Sequence, residues 1–330
     1  MASDDVFKIA EATTLIDNWR AMHQPVLDRM AEQVMQIMTD HGLPVAFSSK
    51  RLKRMVSIVN KLKHNPTMGL GGLQDIGGAR FAFENIPTLM AAFNLLQEVS
   101  LDGFELKSTY NYVGQPKESG YRSIHFVYKY HSIDEYNGML VELQIRTRLQ
   151  HDWATAVETA ELISQSALKA SKGNEKWQNY FKLVSAIFAR QEEQPTAAEF
   201  KGLSEADFCR QYDLVEKENN FTEQLSALVG AVQIASEQSF SMGYVVVHID
   251  YEKHISQLRH FKAEEIDLAS DFYSKVESSI TNRNGAVVLV SVSDMNELRE
   301  AYPSYFLNAN EFISALLQFH KACRTAGHIA

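Results

Sequence analysis

Two cysteines, seven prolines and three tryptophans are all that a chain of 330 residues holds of these types. Cys209 and Cys323 stand far apart. This excludes a Cys-rich zinc site, and the two read as lone thiols suited to a reducing cytoplasm. No run of about 18 apolar residues occurs, so neither a transmembrane helix nor a membrane partner is expected. The opening MASDDVFKIAEATT lacks a basic stretch followed by an apolar one, so no signal peptide is expected. Low-complexity segments and internal repeats are absent as well.

Charge is present but uneven. The net charge is −9, which does not suit a global nucleic-acid binder. Residues 1–170 hold 17 basic and 19 acidic side chains, net −2, and residues 171–330 hold 15 and 22, net −7. Within 45–130 the balance reverses to 11 basic against 6 acidic, net +5. A basic segment in an acidic chain suits a local anionic ligand, although a solvated basic helix face would look the same.

The apolar spacing predicts helices over 14–41 and 48–63. In the second, Ser48 or Ser49 is the cap, and Leu52, Met55, Val59 and Leu62 form a stripe ended by Asn65-Pro66. Strands are expected at Ile76–Phe83, Phe104–Thr109, Tyr121–Tyr130 and Met139–Thr147, with helices over 88–99, 148–170 and 175–193. After Glu192-Glu193-Gln194-Pro195 a separate unit begins. It reads as a long helix around 205–238, strands Tyr244–Asp250 and Ala286–Val292, and helices near 263–280, 294–301 and 309–323. The expected class is α+β, divided into 1–195 and a small α/β module over 196–330.

Four clusters carry candidate chemistry. The first is Lys50-Arg51-Leu52-Lys53-Arg54 with Ser57, Lys61 and Lys63. Read as one helix, it forms a cationic row able to hold a triphosphate by charge-assisted hydrogen bonds. In the second, Asp75 enters a strand, a common way to hold Mg²⁺, and Arg80 follows with a guanidinium plane that can stack on a base. A turn aspartate with a surface arginine is the bland alternative. The third, Gln115–His125, is a loop bracketed by Pro116 and Gly120. Its Tyr121 can stack on a second base, and Lys117 and Arg122 can contact phosphate; a hairpin loop with a buried tyrosine is the alternative. In the fourth, Val141, Leu143 and Ile145 alternate with Glu142, Gln144 and Arg146. Placing an acid, an amide and a cation on one sheet face is unfavourable unless that face is wet or functional. His151 and Trp153 follow on the next helix.

In this order the clusters resemble the synthetase domain of the RelA/SpoT family over about residues 45–160. The matching residues are Arg51-x-Lys53, Ser57 and Lys61; Asp75-Ile-Gly-Gly-Ala-Arg80; Pro116-Lys117-x-x-Gly120-Tyr121-Arg-Ser123-Ile-His125; and Glu142-Leu-Gln-Ile-Arg-Thr147. The resemblance implies a nucleotidyltransferase-like mixed β-sheet flanked by helices. It also implies transfer of the pyrophosphate of ATP to a ribose 3′-hydroxyl, with Mg²⁺ on Asp75 and Glu142. Arg51 and Arg80 would sandwich the adenine, and Lys53, Ser57 and Lys61 would bind phosphates. Tyr121 would stack on the acceptor base, with Lys117, His125, Gln144, Arg146 and His151 on the acceptor side.

Two departures leave the acceptor open between a tRNA 3′ end and GDP or GTP. Asn111-Tyr112 stands where the family often has Asp-Tyr. Val157 occupies the register at which single-domain alarmone synthetases usually carry a guanine-reading Glu; Glu158 comes one residue later. A hydrolase domain upstream is not expected, and a catalytically dead nucleotide-binding regulator fits poorly with intact Asp75 and Glu142. Near the C-terminus, Ala301-Tyr302-Pro303-Ser304-Tyr305-Phe306 resembles the Tyr-x-x-Tyr segment of CapRel-like toxin–antitoxin fusions. That implies a regulatory role for Tyr302 and Tyr305 and a phage protein as trigger. Core packing of these rings is the alternative.

Overall fold

The computed structural model describes residues 2–53, 55–132, 135–167, 173–219, 221–222, 225, 243–250, 255–265, 268–269, 271–272, 275–276, 285–291 and 310–329. Two compact units emerge, one comprising Met1–Pro116 and Arg122–Arg148, the other Lys117–Tyr121 and Leu149–Ala330.

The first unit runs α1 (Ala2–Asp40), β1 (Phe47–Leu52), α2 (Met55–His64), β2 (Gly77–Phe83), α3 (Ile86–Glu98), β3 (Phe104–Asn111), β4 (Ile124–Tyr130) and β5 (Leu140–Thr147). Its five strands lie in the order β1-β2-β5-β4-β3. β2 and β5 are parallel at the centre and the other pairs are antiparallel, so the expected mixed sheet flanked by helices is present.

Alternation along the strands explains the packing. Ala79, Phe81 and Phe83 of β2, Val141, Leu143 and Ile145 of β5, and Ile124 and Phe126 of β4 are all at most 1% exposed. They share one core with Val26, Leu27, Met30 and Val34 of α1 and Leu89 and Leu96 of α3. The opposite face carries Arg51, Gly78, Arg80, Glu142, Gln144 and His125, as the registers require.

The helix expected over 48–63 is a strand followed by a helix. Residues 47–52 pair with 77–82, and Lys53 N–H extends the ladder to Ile76 O at 2.7 Å. The 3-4-3 spacing of Leu52, Met55, Val59 and Leu62 mimics one helical stripe, but it crosses the end of β1. Lys50 therefore faces α1, where it pairs with Asp28, and does not line a helix with Lys61. Gly77 allows α1 this close, since a Cβ there would lie 3.3 Å from both His23 and Val141.

The second unit contains α4 (Arg148–Ala167, its first residue in the first unit), α5 (Gly173–Gln191), α6 (Glu205–Asn219), β6 (Gly243–Asp250), β7 (Ile255–Lys262), β8 (Gly285–Ser291) and α7 (Asn310–Thr325). The strands form a second sheet, β7-β6-β8. β7 lies just before the stretch where the sequence suggests a helix near 263–280. There the described residues form a short 3₁₀ turn, Ala263–Glu265, and then helix at 268–269, 271–272 and 275–276, within the expected helical stretch.

Phe181 and Phe188 of α5, Phe208 and Tyr212 of α6, and Phe312 and Leu316 of α7 share one core. A cut after Pro195 would therefore part α5 from its packing partners. The two cysteines are not lone thiols. Cys209 and Cys323 form a disulfide between α6 and α7 across 114 residues of sequence. Each lies on the buried stripe of its helix, 0% and 1% exposed, and the two stripes face each other. The helix expected at 294–301, together with Tyr302 and Tyr305, lies outside the described residues, as does most of the helix expected to continue from residue 220 to 238.

Candidate active site

The polar face of the first sheet is organised around Glu142. His125 stands opposite Gln144 across β4 and β5, and Arg80 stands opposite Gln144 across β2 and β5. His125 Nδ1 lies 2.8 Å from Glu142 Oε1, and Gln144 Nε2 donates to Glu142 Oε2 at 2.6 Å. Arg80 Nε donates to Gln144 Oε1 at 3.3 Å. The amide thus relays the guanidinium to the carboxylate. Burial pushes the Glu142 carboxyl up, but the bonds from His125 and Gln144 outweigh it and leave the group below its ordinary value, despite the nearby Asp75 charge. Along β5 the burial alternation holds up to Ile145 and then stops, because Arg146 and Thr147 are both buried.

Asp75 sits just before β2 between two lysines. Lys53 Nζ lies 2.6 Å from Oδ2 and Lys61 Nζ 2.9 Å from Oδ1. Burial raises this carboxyl too, and the two ammonium groups overcome that and hold it below its ordinary value. Lys53 comes from the end of β1 and is steadied by Arg20 of α1, whose Nε donates to Lys53 O at 2.8 Å. Lys61 comes from α2, one turn beyond Ser57 on the same face.

Between Arg51 and Glu142 the sheet face has a notch. Both residues pair with Gly78, from opposite sides. A Cβ at Gly78 would meet only Glu142 O, at 3.8 Å, so the space above the backbone is open. Arg80, two residues on, projects to the same face as Arg51. A planar group entering the notch would lie between cations and beside an acid.

Lys117, Tyr121 and His151 belong to the second unit. Tyr121 lies in a turn that ends before β4, not in the strand itself. Gly120 N–H donates to Lys117 O at 2.8 Å and Lys117 N–H to Tyr121 O at 3.2 Å. The Lys117 ammonium sits 5.1 Å from the Tyr121 ring centroid, a cation–π contact. Gly120 has φ +89, and a Cβ there would fall 2.9 Å from Ser185 Cβ. Only glycine fits this turn. His151 is half-buried on α4.

Sequence reasoning missed the notch at Gly78, the anchor at Arg20 and the contact of Tyr112 with His125, whose rings meet edge-on at 5.3 Å. Two adjacent glycines at the head of a strand were the available signal for the first. Among the described residues no cluster of three or more His, Cys, Asp or Glu side chains forms a ready metal cage. Asp75 and Glu142 offer carboxylate oxygens of the hard type that suits Mg²⁺, and the Asp75 charge acts on Glu142.

Residues 50–163 match the region found in RelA/SpoT proteins. The chain is 32% identical over 120 residues to the GTP pyrophosphokinase YjbM of Bacillus subtilis (strain 168), an alignment covering 35% of this chain and 56% of that protein. The chain thus spans little more than half the length of that relative. Bacillus subtilis small alarmone synthetase 1 bound to its product pppGpp superposes with a TM-score of 0.44 at 24% identity, over 54% of this chain and 92% of that one. Small alarmone synthetase 2 of the same organism gives 0.46 at 22%, over 54% and 94%.

Proposed function

We propose that this chain, whose residues 50–163 match the region found in RelA/SpoT proteins, is an ATP-dependent pyrophosphokinase that moves the β,γ-pyrophosphate of ATP onto a ribose 3′-hydroxyl, releasing AMP. The observation that carries this reading is the pair Asp75 and Glu142. Both are held below their ordinary carboxyl values, Asp75 by Lys53 and Lys61 and Glu142 by His125 and Gln144, and the two lysines are cations able to receive a triphosphate.

In this reading Arg51 and Arg80 hold the adenine above Gly78, and Lys53, Ser57 and Lys61 take the phosphates. Mg²⁺ held by Asp75 and Glu142 would supply neutralisation of the triphosphate charge. Lys53 and Lys61 already balance Asp75, so phosphates entering the site would find ammonium groups poised within it. Glu142, fixed through both oxygens, orients the attacking hydroxyl. Tyr121, Lys117, His125, Gln144, Arg146 and His151 serve the acceptor. Catalysis is then positioning and charge stabilisation, not covalent chemistry.

For the acceptor we favour the 3′-CCA end of tRNA, because Val157 replaces the guanine-reading acid. Modifying that end would stop translation. Residues 196–330, which carry none of the four clusters, would restrain the enzyme through Tyr302 and Tyr305 until a partner such as a phage protein binds, in the cytoplasm where ATP and tRNA are found. Synthesis of (p)ppGpp from ATP and GDP or GTP is the second reading, favoured by the 32% identity to a GTP pyrophosphokinase.

Incubation with γ-³²P-ATP and GDP, GTP or bulk tRNA decides between them. Label on tRNA alone supports the first reading, label on the guanosine nucleotides supports the second, and no transfer to any acceptor by either the wild type or a Tyr302→Ala/Tyr305→Ala variant freed of the proposed restraint removes the pyrophosphokinase assignment.

A further inference from the structure

The line of side chains from Glu142 to His125 continues to the edge of the sheet. Tyr112 sets its ring at 90° to His125. Tyr110 lies parallel to Tyr112 within 2°, the centroids 6.1 Å apart. Tyr110 pairs with His125 across β3 and β4, on the last strand of the sheet. Glu142, His125, Tyr112 and Tyr110 thus form a track that starts at the candidate reacting carboxylate and leaves the sheet through two aromatic rings.

The rings are held in place. Asn111 Oδ1 accepts from Val113 N–H and Gly114 N–H, both at 3.0 Å, closing a turn directly after Tyr112. Tyr112 N–H extends the ladder to Ser123 O at 2.9 Å. Parallel rings at this spacing are in offset-stacking range, so each steadies the other. The surface they present is the open side of Tyr110, which is 41% exposed. A fixed, exposed aromatic plane in line with a phosphoryl-transfer site suits base stacking, which tolerates any base because every base has a π-face.

We propose that Tyr110 is a second base platform, and that the acceptor is therefore a single-stranded ribonucleotide end of at least two nucleosides and not a free mononucleotide. A mononucleotide has one base and gains nothing from a second platform. The proposal rests on the pyrophosphokinase reading and narrows its acceptor.

The test is fluorescence anisotropy on the full chain, comparing wild type, Tyr110→Ala and Tyr110→Phe. The probes are a labelled six-nucleotide single-stranded RNA ending in CCA and labelled GDP. Tyr110→Ala is expected to weaken RNA binding by about tenfold to a hundredfold, the range of one lost stacking contact. Tyr110→Phe keeps the plane and should stay within about twofold of wild type, since the ring provides the stacking. GDP binding should not change. Unchanged RNA binding in Tyr110→Ala, equal loss for RNA and GDP, or failure of wild type to bind the RNA would each overturn the proposal. Thermal melts of both variants check folding. The same samples with γ-³²P-ATP separate the two levels of inference. RNA binding that depends on Tyr110 without label transfer, in the wild type and in a Tyr302→Ala/Tyr305→Ala background alike, sinks the enzymatic reading and leaves the platform. Label transfer that ignores Tyr110 does the reverse.

Discussion

His125 and Glu142 are joined on the polar sheet face, Nδ1 to Oε1 at 2.8 Å, with side chains only 10% and 12% exposed. With Gln144 on the other oxygen, the carboxylate has no rotational freedom left. His125 is thereby a positioning residue for Glu142, whatever else it touches. His125→Ala should lower kcat by about 10- to 100-fold, the range for partners that orient a working group. KM for ATP should move little. His125→Gln, which keeps a donor, should recover part of the loss, and equal losses in kcat and ATP affinity would contradict the role.

Asp75→Asn and Glu142→Gln should each reduce pyrophosphate transfer on the order of a hundred- to a thousandfold. Circular dichroism should show both variants folded, since each replacement is isosteric. Full activity in either would remove that residue from the candidate site.

The same carboxylates govern acid stability. Their folded-state values lie below the ordinary 3.8 of Asp75 and 4.5 of Glu142. Each therefore stabilises the fold fully above its ordinary value, and that contribution is lost as pH falls through the lowered one. Urea unfolding of wild type and Asp75→Asn should show a constant difference at neutral pH that shrinks in acid. A difference independent of pH would mean that the two lysines do not hold Asp75.

Two glycine replacements should behave in opposite ways. Gly78→Ala meets open space, so it should leave stability within about 1 kcal/mol while filling the notch and weakening ATP use. Gly120→Ala combines φ +89 with a contact at 2.9 Å, so it should lower the melting temperature clearly. Activity assays beside melting curves check both.

Thiol titration of the denatured chain without reductant should find no free cysteine. Reduction should destabilise the second unit by about 4 to 5 kcal/mol on the chain-entropy estimate for a loop on the order of 100 residues.

Much of this was legible because most of the first sheet is locally consistent. Strict alternation at Val141–Ile145 announced β5, and the chemistry-bearing residues fell on its other face as expected. β1 was not legible. Its strand state comes from pairing with β2, some 30 residues away in sequence, and Leu52 happened to complete a helical spacing with Met55. Non-local pairing overrode the local pattern. The disulfide was hidden for the same reason: 114 residues separate its halves, and only the facing of two helical stripes brings them together. In the third cluster, the turn closed by Gly120 delays the strand until Ile124, which puts Tyr121 in a turn where alternation would have put it in the sheet.

The bridge between Cys209 and Cys323 also makes the intervening chain a closed covalent ring. β6, β7, β8 and most of α7 lie inside it. A protease nick anywhere within the ring leaves one molecule on a non-reducing gel and two fragments after reduction. Under tension applied at the two termini, the ring withholds its contour. Its 114-residue span, worth roughly 400 Å at full extension, stays hidden from the pulling force until the sulfur–sulfur bond is cut.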